Sequence, residues 1–366
     1  MAQVDRGSSL ISHPDVDKDD EAIVYASVLT SSFIVPMVLN AAIELGVLDT
    51  ISEAGPEKKL SSDEIASIIG AQNPCMGSTL DRMLRLLATH SVLNCSTRDA
   101  KNEGKVERVY GLTPVGRLFV QNKAGGSLVG FLGFSHNQAI LDIRHYIKDA
   151  VLKGGIPFKM AHGVAAFEYM RSDPEFSGAF NTAVSFHSSI VTEKILKRYT
   201  GFEDLRVLID VGGGRGTTLN MIVSKYPHIK GINFDLPQVI QDASPFEGIE
   251  HIGGDMFKEV PRGEAILLKR TCHNWSDEKC LKLLKNCHEA LEDNGKLIII
   301  DSIMSEGCDS SLIDKYVSHY DNIMFTQHEG KERTEKEFRL LGEQARFMDF
   351  RVVGCACAHW VMELRK

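Results

Sequence analysis

VLIDVGGGRGTTLNMIVSKYP, Val207 to Pro227, followed closely by GINFDLP, Gly231 to Pro237, is the stretch that decides the fold. An apolar run ends at Asp210 and breaks into Gly212, Gly213, Gly214 and Gly216. A helical pattern opens at Thr217, and a second apolar run ends at Asp235. Strand, glycine turn, helix, strand and acid form the frame that holds an adenosine-bearing cofactor. Glycines let backbone N–H groups approach a ligand with no side chain in the way. A carboxylate at the second strand end can accept both ribose hydroxyls. The details argue against a dinucleotide, because the last position of G-x-G-x-x-G is filled by Thr217 and the third glycine is missing. No G-x-x-x-x-G-K-[ST] loop for a nucleoside triphosphate is present. An adenosine cofactor without a pyrophosphate is expected, and S-adenosylmethionine is the common one. The plain alternative is a glycine-rich turn in an ordinary α/β fold.

Around this motif, strands and helices alternate. Strand patterns lie at Arg206–Val211, Lys230–Asp235, Glu264–Lys269 and Lys296–Ser302, with helical patterns between them. Such alternation predicts a parallel sheet with helices on both faces. The chain ends in two strand-like runs, FRVVGC and HWVMEL, too close together for anything but an antiparallel pair. An antiparallel final strand on a parallel sheet is typical of methyltransferases, and the expected fold class is α/β, a Rossmann-like methyltransferase sheet of seven strands, six of them the runs named here, with the last one antiparallel. Upstream, apolar residues recur at helical spacing from Glu21 to Ala54, punctuated by Pro36 and Gly46. Ser61 and Glu64 form a capping-box signature, and Thr79 to Leu93 reads as an amphipathic helix. Lys101 to Glu107 reads as a polar loop, and YGLTPVGRLF as a short strand and turn. This order resembles a winged helix. Its two readings are DNA binding or a dimerisation and packing module, and the small number of cations on the second helix favours the latter.

The predicted division is a disordered tail over 1–20, a helical winged-helix-like dimerisation domain over 21–120, and a helical linker and substrate-pocket segment over 121–200. A Rossmann-like S-adenosylmethionine-binding catalytic domain follows over 201–366. The 366 residues, 43% hydrophobic and 25% charged, have the composition of a globular protein with a large core. A formal charge of −8 argues against a nucleic-acid partner. No apolar run approaches the ~20 residues of a membrane span, so no membrane partner is expected. The N-terminus shows no secretory pattern. The eight cysteines are scattered without a C-x-x-C pair, which reads as reduced thiols of a cytoplasmic protein, with no metal bound.

Ligands of a doubly wound sheet sit at the carboxyl ends of its strands. Standing there are Asp210 and the glycines, Asp235, then Asp255, Met256 and Phe257 in GGDMF, then Lys269, His273 in LKRTCHNWSD, and Asp301. Glu332 in GKERTEKEF stands at a loop-to-helix junction downstream. A carboxylate with an apolar pair could take an adenine amino group and clamp its ring. A lone histidine is more often structural than catalytic, but His273 lies past one strand end, with Asp301 at the next and Glu332 within reach. A sulfonium methyl donor is already activated, so the enzyme has to align an attack and remove the acceptor's proton. A phenol ionises near pH ~10, and imidazole is suited to take its proton at neutral pH. Carboxylates beside the ring would orient it and stabilise the imidazolium.

On these residues, and on LDRMLRLL, GGIPF with FEY, DVGGG, SKYPHIKGINFDLP, GIEHIGGDMF, LLKRTCHNWSDE, LKNCHEAL, GKERTEKEF and the terminal VMEL, the chain resembles the plant caffeic-acid O-methyltransferase-like family over nearly all of residues 21–366. The resemblance implies a homodimer that methylates phenolic hydroxyls of small aromatic plant metabolites. It implies that Gly212, Asp235, Asp255, Met256 and Lys269 bind the cofactor, that His273 is the base, and that Asp301 and Glu332 flank it. It also places Phe176, Phe180, Val184, Ile323 and Met324 at pocket-lining positions, with simple core packing as the alternative. Three residues depart from the family pattern: Asp301 where Glu is usual, Asn274 where Asp is usual, and Arg270 where Trp is common. Together they make the charge expected around His273 less negative. Two further readings stay open. One is N-methylation of an aromatic amine or alkaloid on the same fold, and the other a catalytically weak homologue that acts as a binding protein.

Overall fold

The structure is a computed structural model and describes residues 17–70, 73–99, 106–120 and 126–366. The chain divides into two compact units, one up to Leu132 and one from Gly133 onward. The expected disordered tail falls mostly on residues 1–16, outside the described residues. Residues 18–20 already belong to helix α1 (Lys18–Ser31), whose N-cap Asp17 accepts a hydrogen bond from the Asp19 N–H at 3.3 Å.

In the first unit, α1 is followed by α2 (Ile34–Glu44) and α3 (Val47–Glu53). Gly46 separates these last two with φ 69°, a left-handed conformation that glycine adopts without a Cβ clash. Strand β1 (Leu60–Ser61) leads into α4 (Ser62–Ile69), and Ser61 and Glu64 form the full reciprocal capping box. The amphipathic helix α5 runs over Met76–Thr89 and ends before Leu93, which opens strand β2 (Leu93–Asp99). Strand β3 (Val106–Leu112) pairs antiparallel with both β2 and β1. The polar loop expected over Lys101–Glu107 lies partly outside the described residues, and Val106 and Glu107 are already in β3. The short helix α6 (Pro114–Arg117) closes the unit's regular structure, capped by Thr113. Leu48, Ile51, Ile65, Leu80, Leu84 and Leu87 form its core.

Helix α7 (Val129–Ser135) runs across the boundary in sequence, and the second unit opens with α8 (Gln138–Asp142), α9 (Ile147–Lys153), α10 (Pro157–His162), α11 (Ala166–Ser172) and the long α12 (Pro174–Leu196). The second unit then alternates β4 (Val207–Val211), α13 (Thr217–Lys225), β5 (Lys230–Asp235), α14 (Pro237–Ile240), β6 (Ile249–Gly253), β7 (Gly263–Lys269), α15 (Asp277–Ala290) and β8 (Leu291–Asp301). A two-residue strand β9 (Ile303–Met304), helix α16 (Leu312–Gln327), strand β10 (Arg333–Thr334), helix α17 (Glu335–Gln344), β11 (Asp349–Ala356) and β12 (His359–Arg365) complete it. The seven-stranded order is β11-β12-β8-β7-β4-β5-β6. The five strands β6, β5, β4, β7 and β8 are parallel, and β12 enters antiparallel to β8.

Alternate residues of the central strands feed two cores. Ile209, Val211, Ile266, Leu268, Leu297 and Ile299 face one side, packed with Leu283 and Leu284 of α15 and Phe338 of α17. Leu208, Ala265, Leu267, Ile298 and Ile300 face the other, packed with Val191 and Ile195 of α12 and Leu219 and Ile222 of α13. Burial on both faces explains why these strands read as continuous apolar runs. It also leaves the carboxyl ends of the strands as the place where polar side chains gather. No single helix among the described residues is long and apolar enough to cross a membrane.

Candidate active site

The glycine turn after β4 is built from left-handed backbone: φ is 72° at Gly212, 59° at Gly214 and 81° at Gly216. Gly213 answers to packing, since a Cβ there would stand 2.2 Å from Asn233 Oδ1 and 2.8 Å from the Asp210 carboxylate. Around Gly214 a Cβ would meet nothing within 4 Å, so the backbone is open to a ligand on that side. Asp235, at the end of β5, accepts the Gly214 N–H at 2.8 Å and the Leu236 N–H at 2.7 Å. Each carboxylate oxygen has two lone pairs, so acceptor capacity remains for a diol. Burial pushes the Asp235 carboxyl above its usual range, and the two backbone bonds oppose that.

Asp210 and Lys269 point to the same face of the sheet as Leu208 and Leu267, towards α12. The Lys269 ammonium donates to Ser188 Oγ of α12 at 2.8 Å. Burial, and after it the neighbouring Arg270, lower Lys269 to about 7 against the opposing pull of Asp210 and Asp301. Burial raises Asp210 to about 7, and its Oδ2 makes no hydrogen bond among the described residues. Asp255 accepts the Phe257 N–H at 3.0 Å, and Met256 packs against the core beside Phe257 and Trp275. Open glycine backbone, a half-buried carboxylate at the second strand end, a carboxylate and thioether on the next loop, and a buried ammonium fit an adenosine ligand that carries charged groups. They do not supply the cationic cradle that a pyrophosphate wants.

His273 stands on a single 3₁₀ turn, Cys272–Asn274, just past β7. Two features lock this turn. Gly330 lies directly behind it, where a Cβ would come within 1.9 Å of the His273 carbonyl oxygen. The fully buried Arg333 donates to Cys272 O at 2.9 Å, Trp275 O at 2.7 Å and Asp277 Oδ1 at 2.9 Å. Strand β10 pairs in parallel with β9, matching Arg333 to Ile303, and so carries Glu332 to the end of β8 where Asp301 lies. His273, Asp301 and Glu332 are 4%, 0% and 3% exposed. His273 Nδ1–H donates to Glu332 Oε1 at 2.8 Å, whereas Asp301 Oδ1 is 3.9 Å from the same nitrogen. Donation from Nδ1 leaves the lone pair of the neutral ring on Nε2. The ligand atoms of the three side chains lie within 4.8 Å of one another, which a divalent cation could also use. The 2.8 Å contact, though, is an ordinary charge-assisted N–H···O bond.

Neither oxygen of Asp301 has a hydrogen-bond partner among the described residues. Burial, joined by the neighbouring Glu332, raises its carboxyl to about 6 against the opposing charges of His273, Arg270 and Arg333. The folded state therefore holds the Asp301 proton more tightly than the unfolded chain, whose carboxyl ionises near 3.8. This contribution to stability is complete below about pH 4 and is lost as pH rises through about 6. Asp301→Asn is expected to raise the thermal midpoint relative to wild type at pH 8, by more than it does at pH 5. Calorimetric melts at the two pH values check this, and an equal change at both would show that Asp301 is not a strained charge.

Of the three unusual residues, only Asp301 lies beside the imidazole. Asn274 turns back on its own loop, donating to Arg270 O at 3.1 Å. Arg270 points towards α12 and α16, where it donates to His187 Nδ1 at 2.9 Å and stacks over the Tyr320 ring at 4.9 Å. Of the expected joint effect on charge at His273, what stands beside the ring is Asp301, 3.9 Å from its Nδ1. Phe176 is 1% exposed and sits in an aromatic cluster, 5.1 Å from Phe134, 5.3 Å from Tyr169 and 6.0 Å from Phe158. Phe180, half-buried, faces Phe134 at 5.4 Å and Phe167 at 6.5 Å. Val184 and Ile323 are half-buried and Met324 is buried, the last two on α16. The reading from sequence left out Phe167, which stacks on both Trp275 at 5.7 Å and His328 at 4.7 Å. Burial, with the nearby His273, lowers His328 to about 3, so it is a neutral aromatic wall. The aromatic in FEY and the histidine before Glu332 were the available signals.

The O-methyltransferase domain family matches residues 144–348, and the O-methyltransferase dimerisation domain family matches residues 28–122. A caffeic acid 3-O-methyltransferase of Catharanthus roseus is 49% identical over 95% of this chain and 96% of its own length. An esculetin O-methyltransferase of Kitagawia praeruptora is 48% identical over 96% of both chains. Among solved structures, human N-acetylserotonin methyltransferase in complex with S-adenosylmethionine superposes with a TM-score of 0.79 at 25% identity, over 96% of this chain and 99% of that one.

Proposed function

Since the chain belongs to the O-methyltransferase family and uses S-adenosylmethionine, we propose that it methylates a phenolic hydroxyl of a small aromatic plant metabolite with His273 as the general base. The observation that carries the base assignment is the 2.8 Å bond from His273 Nδ1–H to Glu332 at the end of the parallel sheet. The cofactor supplies an electrophilic methyl group on a sulfonium. Gly212, Asp235, Asp255, Met256 and Lys269 would hold it. Phe180, Val184, Ile323 and Met324 would line the acceptor side, with Phe176 behind them in the aromatic cluster. Glu332 fixes the ring's tautomer, so Nε2 takes the phenol's proton. The imidazolium formed there is stabilised by Glu332 in contact and by Asp301 at 3.9 Å. Transfer from a sulfonium needs no Lewis acid, so the three-residue cluster is assigned to proton handling. An arylamine acceptor has a neutral lone pair and would make little use of this dyad. Labelled S-adenosylmethionine offered with matched phenols and arylamines tests the proposal. Label in the ether supports it, and label in the amine alone overturns it.

The dimerisation domain implies a homodimer. In the single chain, the first unit exposes apolar side chains in series along α1 and α2, with Ile23 65%, Tyr25 67% and Phe33 64% exposed, and Val24, Val28, Leu29 and Met37 beside them. Such a surface is expected where a partner covers it. Sedimentation at micromolar concentration should give a dimer, and Leu29→Glu with Phe33→Glu should shift it to monomer. A wild-type monomer would contradict the assignment.

A further inference from the structure

Asp210 is a buried carboxyl that neither the cofactor assignments nor the proton-handling dyad uses. It is 2% exposed, and its register partner on β5 is Asn233, 0% exposed, so the two side chains stand side by side on one face of the sheet. The Asn233 amide has a fixed orientation. Its Nδ2 donates to Gly214 O at 2.9 Å and to His251 Nδ1 at 3.1 Å. His251 donates its Nε2–H to Ser244 O at 3.0 Å, which leaves Nδ1 as an acceptor. Two acceptors therefore face the NH₂ end, and turning the amide over would set its oxygen against the Gly214 carbonyl. Asn233 Oδ1 lies instead under the glycine turn, where a Cβ on Gly213 would stand 2.2 Å from it and 2.8 Å from Asp210 Oδ2. Both oxygens are buried, and neither has a hydrogen-bond partner among the described residues.

Two acceptor oxygens thus converge on one spot beneath the turn. An ionised carboxylate offers only lone pairs there, whereas a carboxylic acid has one O–H to give. A single proton on Asp210 Oδ2 satisfies both oxygens at once and removes an unpaired buried charge. Burial, joined by Asp235 at the end of β5, raises this carboxyl to about 7 against the opposing charge of Lys269. The Lys269 ammonium itself is turned to Ser188 Oγ at 2.8 Å. We infer that Asp210 is a positioning residue held as a neutral acid, whose O–H donates to Asn233 Oδ1 and so fixes the glycine turn on which the cofactor rests. The route to the cofactor is short. Asn233 holds Gly214 by its carbonyl and Asp235 holds it by its N–H at 2.8 Å. Gly214 is also the point where the turn's backbone is open to a ligand. A neutral Asp210, moreover, does not compete with the cofactor's carboxylate for the Lys269 ammonium.

The test uses the full-length enzyme and reads S-adenosylmethionine affinity by calorimetry, so its outcome does not depend on which acceptor is methylated. Asp210→Asn keeps a donor, since its amide N–H can take the place of the acid O–H. It should hold affinity within ~3-fold of wild type, while Asp210→Ala should weaken it by ~10-fold or more, the scale of a buried acceptor left unpaired. The infrared difference spectrum between wild type and Asp210→Asn at pH 6 should show the C=O stretch of a protonated carboxyl that the variant lacks. A side chain that only fills space would give no such band. Absence of the band, or a loss in Asp210→Asn as large as in Asp210→Ala, would overturn the inference and make Asp210 an anion facing Lys269 or the cofactor's ammonium. Wild-type affinity in a folded Asp210→Ala would equally overturn its hold on the turn. If the alanine variant does not fold, the asparagine variant and the band decide alone.

Discussion

Replacing His273 by alanine should lower methyl transfer to a phenol by ~10²–10⁴-fold, the usual range for a lost general base, while cofactor affinity stays at the wild-type value. The expectation follows from the placement of the ring. It is 4% exposed, donates through Nδ1 to Glu332, and offers Nε2 as the base. Its loop is held from outside by Gly330 and by the three hydrogen bonds of Arg333, so removing the imidazole should not collapse the turn. Glu332→Gln should lose less, because an amide can still accept the Nδ1–H bond but no longer balances the imidazolium charge. Single-turnover rates and calorimetry on the same preparations separate proton removal from binding. Near-normal rates in the alanine variant would mean that the proton leaves by another route.

Asp235→Ala should weaken S-adenosylmethionine binding by ~10²-fold or more, the scale of losing charge-assisted hydrogen bonds to two hydroxyls. Asp235 has a second duty, since its carboxylate also accepts the Gly214 and Leu236 N–H groups. Some of the loss will therefore come through a loosened glycine turn. Asp235→Asn separates the two contributions, because its amide oxygen can still accept from one of these groups. Calorimetry that finds wild-type affinity in a folded alanine variant would remove Asp235 from the cofactor site.

The positions of these groups were legible in the sequence because an apolar run that ends in a polar residue marks a strand's carboxyl end. Asp210, Asp235, Lys269 and Asp301 all carry that mark. The antiparallel final strand was legible for a similar reason, since two runs separated by a few residues leave no length for a crossover. What escaped was whatever depends on backbone handedness or on contacts distant in sequence. Nothing in LLKRTCHNW states that Arg270 is left-handed and so points away from His273, or that Asn274 folds onto its own loop. The grip of Arg333 on the His273 turn spans about sixty residues and rests on a two-residue strand too short for any periodicity to show. The end of α5 before Leu93 was missed because Val92 and Leu93 continue the apolar pattern of the helix while entering the hairpin. Phe176 and Phe180 fit both pocket and core from spacing alone, and only packing shows that Phe176 is enclosed by three other rings.

Removal of the acceptor's proton by the His273–Glu332 pair is measured most directly as the rate loss of His273→Ala across acceptors of graded acidity. A phenol with an ordinary pKa near ~10 needs the base, whereas one already ionised at the assay pH does not. The loss should be ~10²-fold or more on the first and shrink to less than ~10-fold on the second. The same loss on both acceptors would contradict it, and would make His273 a residue that shapes the pocket without taking the proton.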